Sequence, residues 1–103
     1  MTPIWSVRLS PAASRDYDSL DHSVAASVDG ALEKLTANPR LRGYPLRGNL
    51  SGFRSLVVGK KKIRIVYKVL GDKVMVYVVA IGRRHNDEVY LNAATRTDDS
   101  AEG

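Results

Sequence analysis

The chain has no cysteine, which removes disulfides, thiolate metal sites and thiol nucleophiles from consideration. It has only two histidines, His22 and His85, and its carboxylates are not clustered, so no dedicated metal cage is expected. Long hydrophobic runs are missing as well. The longest, Val74–Ile81, is far shorter than the roughly 20 residues of a membrane-spanning helix. Met1-Thr2-Pro3-Ile4-Trp5 lacks the basic start and apolar stretch of a secretory signal. A cytoplasmic protein without membrane association is therefore expected. There is no P-loop, dinucleotide fingerprint, nucleophile elbow or metal motif, and there are no internal repeats.

What remains is a basic chain of ordinary apolar content. Hydrophobic residues make up 44% of 103 residues, enough for a single packed domain. We expect that domain to span residues 1–96, with the polar stretch 97–103 a disordered tail. A chain this small has a thin stability margin, about 5–10 kcal/mol, and a stable partner would help it. The net charge is +5, unevenly spread. Residues 40–90 carry twelve Lys/Arg against three acids, whereas residues 1–39 and 91–103 are each acidic on balance. Such one-sided charge is the electrostatic footprint of a polyanion binder.

The hydrophobic pattern predicts a strand over Ile4–Leu9. A helix then starts at Ser10-Pro11, because serine is a good N-cap and proline suits the first helical position. This helix is expected to run to about Leu20. Asp21 opens a second one, with Val24, Val28, Ala31, Leu32 and Leu35 on one side, and Asn38-Pro39 ends it. Residues 40–52, rich in glycine, read as an irregular exposed connector. Strands follow at Phe53–Val58 and Ile63–Val69, then a two-residue turn at Gly71-Asp72 with glycine at positive φ. Val74–Ile81, apolar on both faces, reads as the central strand, stopped by Gly82. A short helix over Asp87–Ala94 closes the domain. The predicted class is α+β: a strand, a helical hairpin and an antiparallel meander, with helices packed on one face of the sheet and the other left for basic residues.

Arg64 is the most informative position, because it alternates with Ile63, Ile65 and Tyr67 and so faces away from the apolar side. Arg54 lies on the adjoining strand, and its side depends on a register that a one-residue slip would invert. The segment after the last strand, Gly82 to Tyr90, adds Arg83, Arg84, His85 and Tyr90. Arginine forks suit a phosphate, histidine titrates near neutrality, and a tyrosine can stack on a base or transfer a proton. Arg47, Lys60, Lys61, Lys62 and Arg83 would extend a phosphate-binding surface.

Taken in order, Pro45-Leu46-Arg47-Gly48-Asn49-Leu50-Ser51-Gly52-Phe53-Arg54, Ile63-Arg64-Ile65-Val66-Tyr67, Ile81-Gly82-Arg83-Arg84 and Glu88-Val89-Tyr90 resemble the RelE family of toxin–antitoxin toxins across residues 4–96. The resemblance implies a small microbial-ribonuclease-like fold and ribosome-dependent cleavage of messenger RNA. In that reaction the RNA's own 2′-hydroxyl attacks the adjacent phosphate, with no metal or cofactor. It also implies that Arg64 and Arg84 orient and stabilise the scissile phosphate, that Arg54 stands where a lysine helps activate the hydroxyl, and that Tyr90 contacts the RNA at the cut. A second catalytic lysine is replaced by Leu56, and His85 is a candidate to supply the lost proton transfer. The implied partners are an acidic cognate antitoxin, the ribosome and messenger RNA, with operator DNA reached only through the antitoxin. The alternatives are a ParE-like DNA gyrase inhibitor without nuclease activity and an inactive binding module.

Overall fold

The computed structural model describes residues 4–59, 63–83 and 87–96. The elements in chain order are β1 (Ser6–Leu9), α1 (Pro11–Asp18), α2 (His22–Lys34), β2 (Tyr44–Pro45), β3 (Arg54–Val58), β4 (Ile63–Leu70), β5 (Met75–Arg83) and α3 (Glu88–Ala94). They form one five-stranded sheet in the order β1-β5-β4-β3-β2. All neighbours are antiparallel except β1, which runs parallel to β5. The α+β class and the helical hairpin agree with the sequence.

Local chemistry accounts for the hairpin. The Ser10 hydroxyl accepts the Ala13 N–H at 3.1 Å, and Pro11 occupies the first turn of α1, where its missing N–H costs nothing. Val28, Ala31 and Leu35 carry the inner side of α2 onto Ile63, Ile65, Tyr67, Val76 and Val78 of the sheet.

Four expectations are corrected. Helices do not stay on one face: α3 sets Val89 and Ala93 on the opposite side, against Val66, Val79 and Ala80. The sheet is therefore covered twice, and apolar side chains on both faces do not single out the middle strand. That place belongs to β4, with β5 beside it, and β5 runs through Gly82 to Arg83. The β4–β5 connection is a one-turn 3₁₀ segment at Gly71–Lys73, and the residue with positive φ is Val74 at 49°, not the glycine. The longer turn reverses the chain without needing glycine's freedom at its first position.

A bulge in β5 lets one strand serve both cores. Val66 pairs with Ala80 and Tyr67 with Val78, leaving Val79 as the extra residue. Val78 faces the hairpin, whereas Val79 and Ala80 both face α3. The last strand-like bond from the β1 side is Ser10 N–H to the Val78 carbonyl at 2.9 Å. Past it, side chains continue the ladder. The Asp16 carboxylate accepts the Ile81 N–H at 3.1 Å, and the Arg96 guanidinium donates to the Val79 carbonyl at 2.9 Å. Arg96 and Asp16 also form an ion pair at 2.7 Å, which ties α1 to the chain after α3 around the sheet edge. Asp16→Ala removes two of these interactions and leaves a strand N–H without its acceptor. Expected is a stability loss of about 2–3 kcal/mol, read as a lower urea midpoint at unchanged slope.

Candidate functional site

Three strands and α3 converge on the face opposite the helical hairpin. Arg64 on β4 is flanked in register by Val57 of β3 and Gly82 of β5. It is only 8% exposed. On β3, Ser55 points to the same side and is fully buried. Its neighbour across the edge pair is Tyr44 of β2. Tyr90 comes down from α3 and places its hydroxyl 3.0 Å from Ser55 Oγ and 2.9 Å from the Tyr44 hydroxyl. The result is a line of three hydroxyls beside a guanidinium, with Tyr44, 41% exposed, at the open end.

The two tyrosines are not equivalent. The hydrogen bond from Tyr90 lowers the Tyr44 pKa below the usual tyrosine value, and Ser55 and the Arg64 charge act in the same direction. Burial raises that of Tyr90, and its contact with Tyr44 adds to the rise. Either hydroxyl can donate in the bond between them, and Tyr44 is the better acid of the two. The short strand that delivers Tyr44 depends on Gly43, which has φ 63° and lies so close to β3 that a Cβ there would run into the Ser55 carbonyl.

Arg54 is elsewhere. It pairs across from Tyr67 and shares its face with the hairpin core, away from Arg64. Its Nε donates to the Arg42 carbonyl at 2.9 Å, and a second nitrogen reaches the Gly43 carbonyl at 3.4 Å. The buried Tyr67 hydroxyl donates to the Pro39 and Arg42 carbonyls from the same side. Arg54 therefore braces the chain that leads into β2, and the register settles the side that alternation alone left open. Leu56 shares that face. Arg83 pairs with Ile63 and so also turns toward the hairpin side, where it edges a cleft with Asp16, Asp21 and Glu88. Arg47 is exposed beside an apolar groove formed with Leu50, Leu91 and Ala94. Lys60, Lys61, Lys62, Arg84 and His85 lie outside the described residues.

The family model of the ParE toxin of type II toxin–antitoxin systems matches residues 7–88. The chain belongs to the RelE/ParE toxin family. Among curated proteins, the mRNA interferase toxin RelE of Escherichia coli (strain K12) is 29% identical over 84 residues, which cover 82% of this toxin and 87% of that protein. The crystal structure of the toxin–antitoxin complex RelBE2 from Mycobacterium tuberculosis matches with a TM-score of 0.70 and 26% identity, over 82% of this toxin and 95% of that chain. A free-state E. coli RelE mutant matches the fold with a TM-score of 0.77 at 24% identity, over 91% of this toxin and 98% of that chain.

Sequence reasoning missed two residues of this candidate site, Tyr44 and Ser55. For Ser55 a signal existed: with Phe53 and Val57 it alternates on one side of a strand, and a hydroxyl at an inward position demands a hydrogen-bonding partner. Tyr44 had none, because a two-residue strand inside a glycine-rich connector leaves no periodicity. Among the described residues no group of three or more His, Asp or Glu stands close enough to hold a metal ion, and no helix is long and apolar enough to cross a membrane.

Proposed function

We propose that this toxin is a messenger-RNA endoribonuclease in which the RNA supplies its own nucleophile. The observation that carries the reading is Arg64, held nearly buried on the α3 face beside the hydroxyls of Tyr44 and Tyr90. The 29% identity to an mRNA interferase supports it. When a 2′-oxygen attacks the adjacent phosphate, a P–O2′ bond forms and the P–O5′ bond breaks, leaving a cyclic phosphate and a 5′-hydroxyl. Charge builds on the non-bridging oxygens, and a preset guanidinium can meet two of them at once. Burial keeps Arg64 from being dispersed by solvent, so its charge acts through a low dielectric. Tyr90, fixed by Ser55, edges a groove with Leu46, Arg47 and Leu91, where its ring can receive a stacked base. No metal or cofactor enters this scheme.

The basic stretch 40–90 suits the ribosome and messenger as partners, and an acidic antitoxin is the partner that neutralises it. Because phosphate contacts release counterions, ribosome affinity is expected to fall about 10³-fold or more between 50 and 200 mM salt. An affinity indifferent to salt in a sedimentation assay would contradict a phosphate-dominated interface.

The description of the matching family model as ParE gives a second reading, inhibition of DNA gyrase without RNA cleavage. Inducing the toxin and mapping messenger ends separates the two. Cuts in phase with codons support the ribonuclease. Broken DNA with intact messages supports the gyrase inhibitor.

A further inference from the structure

Among the described residues the ribonuclease reading leaves one chemical need unassigned, and the inference below rests on that reading. The 5′-oxygen departs as an alkoxide unless a group gives it a proton. The positions where the family likeness expects lysines hold Arg54 and Leu56, and both sit on the face away from Arg64. Arginine, moreover, does not release a proton near neutrality.

Three tyrosines stand on Arg64's own face: Tyr44 and Tyr90 meet at Ser55, whereas Tyr77 lies toward the other end of β5, paired with Lys68. Tyr90 is hemmed in, with Ser55 Oγ on one side and the Tyr44 hydroxyl on the other, 3.0 and 2.9 Å away. Tyr44 ends the line at the sheet edge and is 41% exposed, so its hydroxyl is the one an RNA strand can reach. Arg64 lies on the same face, opposite Val57 and two residues along β3 from Ser55, the partner of Tyr44, and its positive charge favours a tyrosinate at Tyr44. A phosphate gripped by Arg64 is thereby brought next to the Tyr44 O–H. The groups acting on Tyr44 are Tyr90 from α3, Arg64 from β4 and the neutral Ser55 from β3, and each stabilises a tyrosinate there.

We propose that Tyr44 is the general acid of the cleavage, giving its proton to the leaving 5′-oxygen while Arg64 holds the phosphate. The P–O2′ bond forms as the P–O5′ bond breaks. The 2′-hydroxyl proton passes to solvent water, and the Tyr44 proton goes to the 5′-oxygen. The resulting tyrosinate, held by the Tyr90 hydrogen bond and by Arg64, regains a proton from solvent. Tyr90 and Ser55 are positioning residues in this scheme, since they act on the RNA's leaving group only through Tyr44.

The test uses the whole toxin on ribosomes programmed with a synthetic messenger, measured in single turnover. The scissile linkage carries either its natural 5′-oxygen or a bridging sulfur, which leaves as a thiolate without needing a proton. Tyr44→Phe keeps the ring and the β2 backbone, and circular dichroism confirms its fold. It is expected to slow cutting of the oxygen messenger about 10²–10⁴-fold but that of the sulfur messenger less than about tenfold. The wild-type rate falls as pH rises through the Tyr44 pKa, which lies below the ordinary value of about 10, and the variant lacks this fall. Arg64→Ala slows both messengers, because it acts on the phosphate. If Tyr44→Phe cuts the oxygen messenger at the wild-type rate, or loses equally on both, the assignment is overturned and the ribonuclease reading stands. If the wild-type toxin cuts neither messenger, that reading fails and the assignment fails with it.

Discussion

Arg64→Ala is expected to slow messenger cleavage about 10³-fold, the loss that follows removal of a preorganised donor from a developing oxyanion. The expectation comes from the site of the residue rather than from its charge. A solvated arginine at the rim would add affinity that salt screens away. Arg64 is 8% exposed, sits between Val57 and Gly82, and shares its face with Ser55 and Tyr44. Arg64→Lys keeps a positive charge but not the planar fork, so it should recover only part of the loss. Because the side chain is buried, each variant needs a thermal melt beside its rate. Cleavage by a folded Arg64→Ala protein within about threefold of wild type would remove Arg64 from the chemistry. Growth arrest persisting in that variant with intact messages would favour the gyrase reading.

Gly43→Ala is expected to be the most damaging small substitution in the connector. A left-handed backbone costs an L-residue about 1–2 kcal/mol, and the new methyl would also meet the Ser55 carbonyl. That carbonyl belongs to β3 and cannot move without disturbing the β3–β4 ladder. Expected is a total loss of about 2–4 kcal/mol and a melting temperature lower by about 10–20 °C. Gly48 is the control. Its φ is also 63°, but nothing lies within 4 Å of a Cβ there, so Gly48→Ala should show the backbone cost alone. Cleavage should fall further in Gly43→Ala than in Gly48→Ala at matched folded fraction, because β2 carries Tyr44. Equal melting temperatures for the two variants would show that the close approach to β3 is not binding.

Alternation made the face of Arg64 readable from the sequence. Ile63, Ile65 and Tyr67 are large and apolar at every second position, so the residue between them had to turn away. The start of the helical hairpin was readable for the same kind of reason, since a serine cap and a proline mark it, whereas its end came earlier than Asn38-Pro39, with α2 closing at Lys34. Arg54 was not readable, because its side depends on which residue of β4 it meets. Tyr67 is that partner, and strand pairing is a tertiary fact. Tyr44 was hidden more deeply. Its strand is only two residues long and is recognisable only by the Ser55 it lies against. The place of α3 escaped notice because two-sided burial looks alike whatever supplies the second cover.

The parallel pairing of β1 with β5 governs when the molecule can assemble. Strands β3, β4 and β5 are successive neighbours that can zip locally as the chain emerges. Ser6–Leu9, made near the beginning, meet their partners only when residues 75–78 exist. Closing so long a loop is an entropic cost that no earlier contact relieves. Val7 and Leu9 therefore gain their sheet neighbours only once β5 has been made. A partner that recognises the finished sheet has nothing to grip until β5 is in place.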